Sequence, residues 1–264
     1  MLRGLVNDVP IWVLLILVVG AIVGVILGLV WLIRKLVPPV REGFDAEVSS
    51  QLLGVVAALF GLLLAFIVVI AYQNYGDSQS NVSNEADALA AIVRNSDAFP
   101  QLDGAHVRAA VGTYVRAVVA DEWPRMHDGK DSARAGAAVA GMYRAIQGVD
   151  PKSSKAVAFY DDSVQQLSSA LDGRRNRLDD ARGGLPWVIG VLLVVGSIVI
   201  MGYTVLVGSR NFWFHAIGAS AVAIVLGLSL VVLLDLSYPF SGDLSVGSRP
   251  FQTGALAQFF DPSH

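Results

Sequence analysis

Two patterns of apolar residues alternate along this chain. Four stretches, about 11–33, 52–72, 185–207 and 212–234, are built almost wholly of apolar residues and glycine and carry no Asp, Glu, Lys or Arg between their ends. Each is long enough to cross a bilayer core, which takes about 20 residues at the helical rise. In the region 76–184 the pattern changes to apolar residues recurring every three or four positions, the period of a helix with one buried face. The second stretch enters that region without a break. Beyond LLGVVAALFGLLLAFIVVIAY, residues Val82, Ala86, Leu89 and Val93 keep helical spacing, so the pattern predicts one helix from Gln51 to about Arg94, half in lipid and half in water.

Three more helices follow in the polar region. Asp103 to Trp123 aligns Val107, Val111, Tyr114 and Val118 on one face between Pro100 and Pro124, and proline at either end marks a helix boundary. The turn PRMHDGKDS leads to an alanine-rich helix with Ala135, Val139, Met142 and Ile146. The last begins after Asp150-Pro151 and places Val157, Tyr160, Val164, Leu167, Leu171 and Leu178 in a seam expected to pack on partner helices. Gly183 and Gly184 stop it, and Pro186 opens the third span. Pro38 and Pro39 end any helix in the first connector, and GSRNF is so short that spans three and four form a hairpin. The chain reads as an all-α, four-span integral membrane protein: spans one and two within 1–75, a helical extramembrane domain at 76–184, a hairpin at 185–234 and a polar tail at 235–264 that packs on the helical domain.

Composition agrees with lipid as one of the solvents. Apolar residues make up 54% of the chain and charged ones 16%, with a net charge of -3. Lys and Arg are scattered, so nothing suggests a nucleic-acid groove. The first stretch is too long for a secretory signal and ends in the basic Arg34-Lys35, so it is expected to be retained as a span. Trp12, Trp31, Trp187, Trp213 and Phe214 fall near span ends, as an interfacial aromatic belt requires. The absence of cysteine excludes disulfides, thiolate metal sites and a cysteine nucleophile. His106, His127, His215 and His264 lie far apart in sequence without metal-ligand spacing and are read as surface or interfacial residues. No nucleophile elbow, P-loop or dinucleotide fingerprint is present. The acidic pairs Asp121-Glu122, Asp161-Asp162 and Asp179-Asp180 read as solvated helix faces. No catalytic residue, cofactor or metal is implied, and an enzyme is not expected.

Spans without carboxylates at membrane depth lack the machinery of ion-coupled transport. A passive pore does not need it, because apolar constrictions can gate by excluding water. Four helices enclose little space, so a pore requires several copies around an axis. Phe60, Phe66 and Ile70 on the second span are candidates to face that axis; lipid or intrachain packing is the alternative. Gly20, Gly24 and Gly28 line one face of the first span and let another backbone approach, either within the chain or at a subunit interface. The competing class is a non-conducting membrane scaffold or accessory subunit that uses the glycine face and the 157–178 seam as partner surfaces. Any such membrane partner is unknown.

The second span with its continuation, the RRNRLDDARGGLPW segment before the third, and LDLSYPFSGDLSVGSRPF after the fourth resemble the bestrophin-like family of bacterial membrane proteins. The segment Pro239, Phe240, Ser241, Gly242 and Asp243 is similar to the PFG-acidic segment after the fourth span of bestrophin channels, which is cytosolic and in animal members helps to bind calcium. The resemblance implies a homopentamer in the bilayer, an apolar neck on the second helix among Phe60, Phe66 and Ile70, and both termini in the cytosol. Asp243 stands nearly alone here, with Asp235 eight residues earlier, too few oxygen ligands for calcium. The positive-inside rule divides: Arg34, Lys35, Arg41 and Arg210 lie on one side, and the amino terminus with Arg3, Arg174, Arg175, Arg177, Arg182 and Arg249 on the other. The resemblance favours a cytoplasmic domain and termini.

Overall fold

The computed structural model describes residues 9–36, 46–206 and 212–260; Pro38, Pro39, Arg41, Arg210 and His264 lie outside them. Every regular element among the described residues is helical: α1 (Ile11–Leu36), α2 (Ala46–Asn95), α3 (Gln101–Ala117), α4 (Trp123–Met126), α5 (Ala133–Gln147), α6 (Ser154–Arg182), α7 (Trp187–Leu206) and α8 (Phe212–Leu236), with short 3-10 turns in the tail. Among the described residues, four helices are long and apolar enough to cross a membrane. Packing divides the chain into two units, Met1–Gln73 with Gly184–Ser237, and Asn74–Gly183 with Tyr238–His264.

Small residues make the contacts of the apolar unit, as expected where lipid removes any hydrophobic drive between helices and close packing must supply the attraction. Ala219 and Ala223 of α8 pack with Ile26 and Val30 of α1 and Val205 of α7. A Cβ built on Gly227 would stand 3.0 Å from Val19, so α8 approaches α1 as closely as glycine permits. The ring of Phe60 on α2 lies directly on Gly196 of α7, where no side chain fits.

In the other unit, one core joins the outer part of α2, α3, α5, α6 and the tail, through Leu89, Ile92, Val111, Val115, Met142 and Phe251 among others. The tail packs where its Phe and Pro content placed it. Serine side chains start two of these helices: Ser132 accepts the Ala135 N–H and Ser153 the Ala156 N–H, each at 3.1 Å, satisfying donors that a first turn leaves open. Gly183 closes α6 by donating to Asp179 O at 2.9 Å.

The structure corrects two expectations. The second helix of the domain was expected to end before Pro124, but the chain passes through a wide π turn at Val118–Glu122 and continues as α4 to Met126. Trp123 N–H bonds back five residues to Val118 O; the wider turn accommodates a proline that has no N–H and would crowd a regular helix. The seam on α6 is also rotated. Leu167 and Leu178 are buried, but Val157 and Val164 are exposed, and the inward face is Ala156, Ser163, Ala170, Gly173 and Arg177. Small residues hold that face because α2 comes so near: a Cβ on Gly173 would meet Glu85 Cβ at 2.8 Å and its Cα at 3.2 Å.

Gly173→Ala therefore forces α2 and α6 apart and is expected to cost about 1–3 kcal/mol, the range for overpacking, read as a lower thermal midpoint of the detergent-solubilised protein. Gly141→Ala on α5, which meets nothing within 4 Å, should leave that midpoint unchanged or raise it slightly.

Candidate functional site

Helix α2 is a single element of 50 residues, and the chain covers only one side of it. In its apolar part Phe60, Leu64, Ile67 and Ala71 are buried, while Leu59, Leu62, Phe66 and Ile70 are exposed. Beyond the apolar part Val82, Glu85, Ala86 and Leu89 are buried, while Gln73, Asp77, Ser80, Asn84 and Asp87 are exposed. One line of exposed positions runs through both parts. Residues 59, 66, 73, 80 and 87 repeat every seven, and 63, 70, 77 and 84 fill the intervals, a spacing that drifts only about 20° per heptad on a straight helix. This stripe is uncovered along the helix, apolar to Ile70 and polar from Gln73, and in the apolar part it belongs to a wider exposed surface that includes Val55, Leu62, Val69 and Tyr72.

Phe66 and Ile70 lie on that stripe, 61% and 54% exposed, whereas Phe60 is 9% exposed with its ring against Gly196. Gly20, Gly24 and Gly28 are exposed, with nothing within 4 Å of a Cβ built on any of them. No described part of the chain fills the glycine face.

The polar unit contains a buried ion cluster that the periodicity did not single out. Arg177 has no exposed side-chain surface, and neither do Glu85 and Glu122. Arg177 Nε donates to Glu85 Oε2 at 2.7 Å and Nη2 to Glu85 Oε1 at 3.1 Å, while Nη2 also reaches Glu122 Oε2 at 2.9 Å. Arg174 Nη2 donates to Glu122 Oε1 at 2.6 Å, and Tyr114 Oη donates to Glu85 Oε1 at 2.5 Å. The guanidinium centre of Arg177 stands 5.3 Å from the Trp123 ring and 5.6 Å from that of Phe251. Two carboxylates and two guanidiniums balance, so no net charge is buried. Glu122 is therefore not part of a solvated acidic face. Arg174 and Arg177 are likewise not free cations. A signal was present: Glu85 falls in register with Val82 and Leu89, a charge on a predicted apolar face.

Burial works against the charge on Arg177, but Glu85 and Glu122 outweigh it and raise its pKa. Arg174 is raised against the same penalty by its hydrogen bond to Glu122. Burial, reinforced by the neighbouring Glu85 charge, holds the Tyr114 phenol well above 10.0. At the surface, Ser132 donates to Asp121 and keeps its carboxyl below the usual range.

The tail segment forms a clasp. Phe240 is buried edge-on to Trp123 at 5.8 Å, Ser241 Oγ donates to His127 O at 2.9 Å, and Val246 N–H donates to Pro239 O at 2.8 Å. Gly242 has φ 75°, a conformation that side chains disfavour. Asp243 is exposed, and no three His, Asp or Glu side chains converge as a metal site among the described residues. Beside the clasp, a hollow of about 620 Å³ between the tail and α2 is lined by Asp87, Arg94 and Arg249 among others. His215, expected at a surface or an interface, is buried within the chain, with Nε2 2.9 Å from Thr204 O.

A family model described as the Bestrophin-like domain matches residues 20–251. Among solved structures, the chain is similar to a point mutant of a bacterial bestrophin homolog from Klebsiella pneumoniae, with TM-score 0.64 at 13% identity, over 95% of this chain and 99% of that one. No curated protein matches in sequence. At that identity the structural likeness concerns the fold.

Arg177→Met leaves Glu85 buried without a compensating charge and Glu122 paired with Arg174 alone, and should destabilise the protein by about 3–5 kcal/mol, seen as loss of folded particle in size-exclusion chromatography. Tyr114→Phe removes one hydrogen bond from a buried carboxylate, for about 1–3 kcal/mol. Because the fold favours the neutral phenol, its contribution is complete below the ordinary pKa near 10 and is lost as pH climbs from there through the raised folded value. Thermal scans between pH 8 and 11 should show that alkaline loss in the wild type and a smaller one in Tyr114→Phe.

Proposed function

The chain belongs to the bestrophin-like family, and from that premise we propose that it assembles into a homo-oligomeric ring, a pentamer as in the resembled channels, whose copies of α2 surround a passive ion pore. The observation that carries this reading is the uncovered stripe on α2 that runs from apolar into polar residues. A seam between helices buried against one another is apolar along its length. Here the stripe is apolar only within the membrane-length part and then presents Gln73, Asp77, Ser80, Asn84 and Asp87, residues that repel or lose water if packed together. A stripe of this kind fits a water-filled axis with an apolar constriction. Phe66 and Ile70 are the constriction, and Phe60 supports the helix from behind through Gly196. The glycine face of α1 is available for a neighbouring copy. No residue acts as a catalyst.

The helical domain and both termini are placed in the cytoplasm. With Arg174 and Arg177 withdrawn into ion pairs, the six arginines counted on that side fall to four, against the four Lys and Arg of the short connectors. The family resemblance, and not the charge rule, supports this orientation. A second reading, a non-conducting scaffold, draws on the exposed apolar residues Val157, Phe159 and Val164 of α6, which suit a protein partner as well as a second copy.

The mass of the nanodisc-embedded particle and ion flux from liposomes separate the two. A pore requires a closed ring of identical subunits, and Phe66→Ala should raise flux severalfold by widening the constriction. A monomer or dimer, with no flux in either form, would leave the scaffold.

A further inference from the structure

If α2 lines a pore, as proposed, the same stripe bears on the sign of the permeant ion. Asp77 is the first charged residue on α2 after the apolar part; none lies between Ile70 and it. It is exposed on the uncovered stripe, and no cation pairs with it among the described residues. Seven residues separate Asp77 from Ile70, about 10 Å along a helix, close to the Debye length of about 8 Å at physiological ionic strength. Its charge is therefore felt at the mouth of the constriction.

The other charges on this face are farther away. Asp87 shares the hollow beside the tail with Arg94 and Arg249. Arg94 lies 17 residues beyond Asp77, about 26 Å along the helix, so that salt screens it at the constriction. A positively charged mouth would need a basic residue where this chain has Asp77. We infer that Asp77, repeated around the ring, is the residue that sets charge preference, and that the pore favours cations over anions. Rings of carboxylates act this way by raising the local concentration of counter-ions, and the field within a low-dielectric mouth makes an effect of about tenfold or more available.

The test is the reversal potential of the reconstituted protein in planar bilayers under a potassium chloride gradient, in the Phe66→Ala background so that a closed constriction does not mask the current. With Asp77 present, potassium should be preferred over chloride by about tenfold at low salt, and the preference should shrink as salt rises. Asp77→Asn should bring the ratio towards one, and Asp77→Lys should reverse it. Asp87→Asn should have a smaller effect. Since Asp77 is exposed, unchanged particle mass and thermal midpoint will show that both variants remain folded. Chloride preference, an Asp77→Asn ratio equal to that of the parent, or a larger effect of Asp87→Asn overturns the assignment to Asp77 while leaving the pore intact. Absence of current in every form from a particle that is not a ring overturns the pore and the charge preference together.

Discussion

Arg177 is the constraint on which the extramembrane unit depends. A guanidinium with no exposed surface is stable only because Glu85 and Glu122 meet it with three hydrogen bonds, at 2.7, 3.1 and 2.9 Å. Desolvating such ions costs several kcal/mol each, so the cluster is weak evidence of net stability, and its clearest effect is on which segments can meet, because removing one partner strands a buried charge. Its members come from α2, α3, the π turn and α6, with Trp123 and Phe251 against the guanidinium. In this arrangement of those segments each of these side chains has a partner. An alternative register of α6 on α2 would strand a charge.

That specificity concerns α2 most of all. Glu85 is clamped on the side of the helix that also carries Val82 and Leu89, and Gly173 lets α6 close on it. Fixing the buried side of a helix also fixes the opposite one, since side chains are locked to the backbone at about 100° per residue. The row of Asp77, Ser80, Asn84 and Asp87 is left outward for this reason. In the apolar unit the same logic operates through shape, with the Phe60 ring on Gly196 turning Phe66 and Ile70 away from the chain.

The tail segment, similar to a calcium-associated segment of bestrophin channels, has a structural part here. Phe240 and Ser241 hold Trp123 and the His127 carbonyl, and Trp123 in turn faces Arg177. The clasp thereby closes one side of the ion cluster. Family membership accounts for the fold, whereas Asp77 and Asp87 sit exposed on α2, where packing imposes no identity on the side chain.

Much of the architecture was legible without coordinates, because spans and amphipathic helices are written in composition and period. The four apolar stretches, the uninterrupted passage of α2 from Phe66 past Val82 to Leu89, and the family resemblance of YPFSGDLSV needed no knowledge of neighbours. What periodicity weighs is hydropathy, and so it placed Val157 and Val164 in the core and Glu122 in water. The tertiary structure reversed both, since a polar residue is buried only when its partners arrive from elsewhere: Glu85, Arg177 and Glu122 lie 92 and 55 residues apart in their pairings. Which face of α2 stays uncovered was decided in the same way. The sequence by itself determined that α2 has an apolar half and a polar half; only the packing of Phe60 on Gly196 and of Glu85 on Gly173 and Arg177 decided that Phe66, Ile70 and Asp77 share its open side, because a burial pattern is a property of contacts and not of residues taken one at a time.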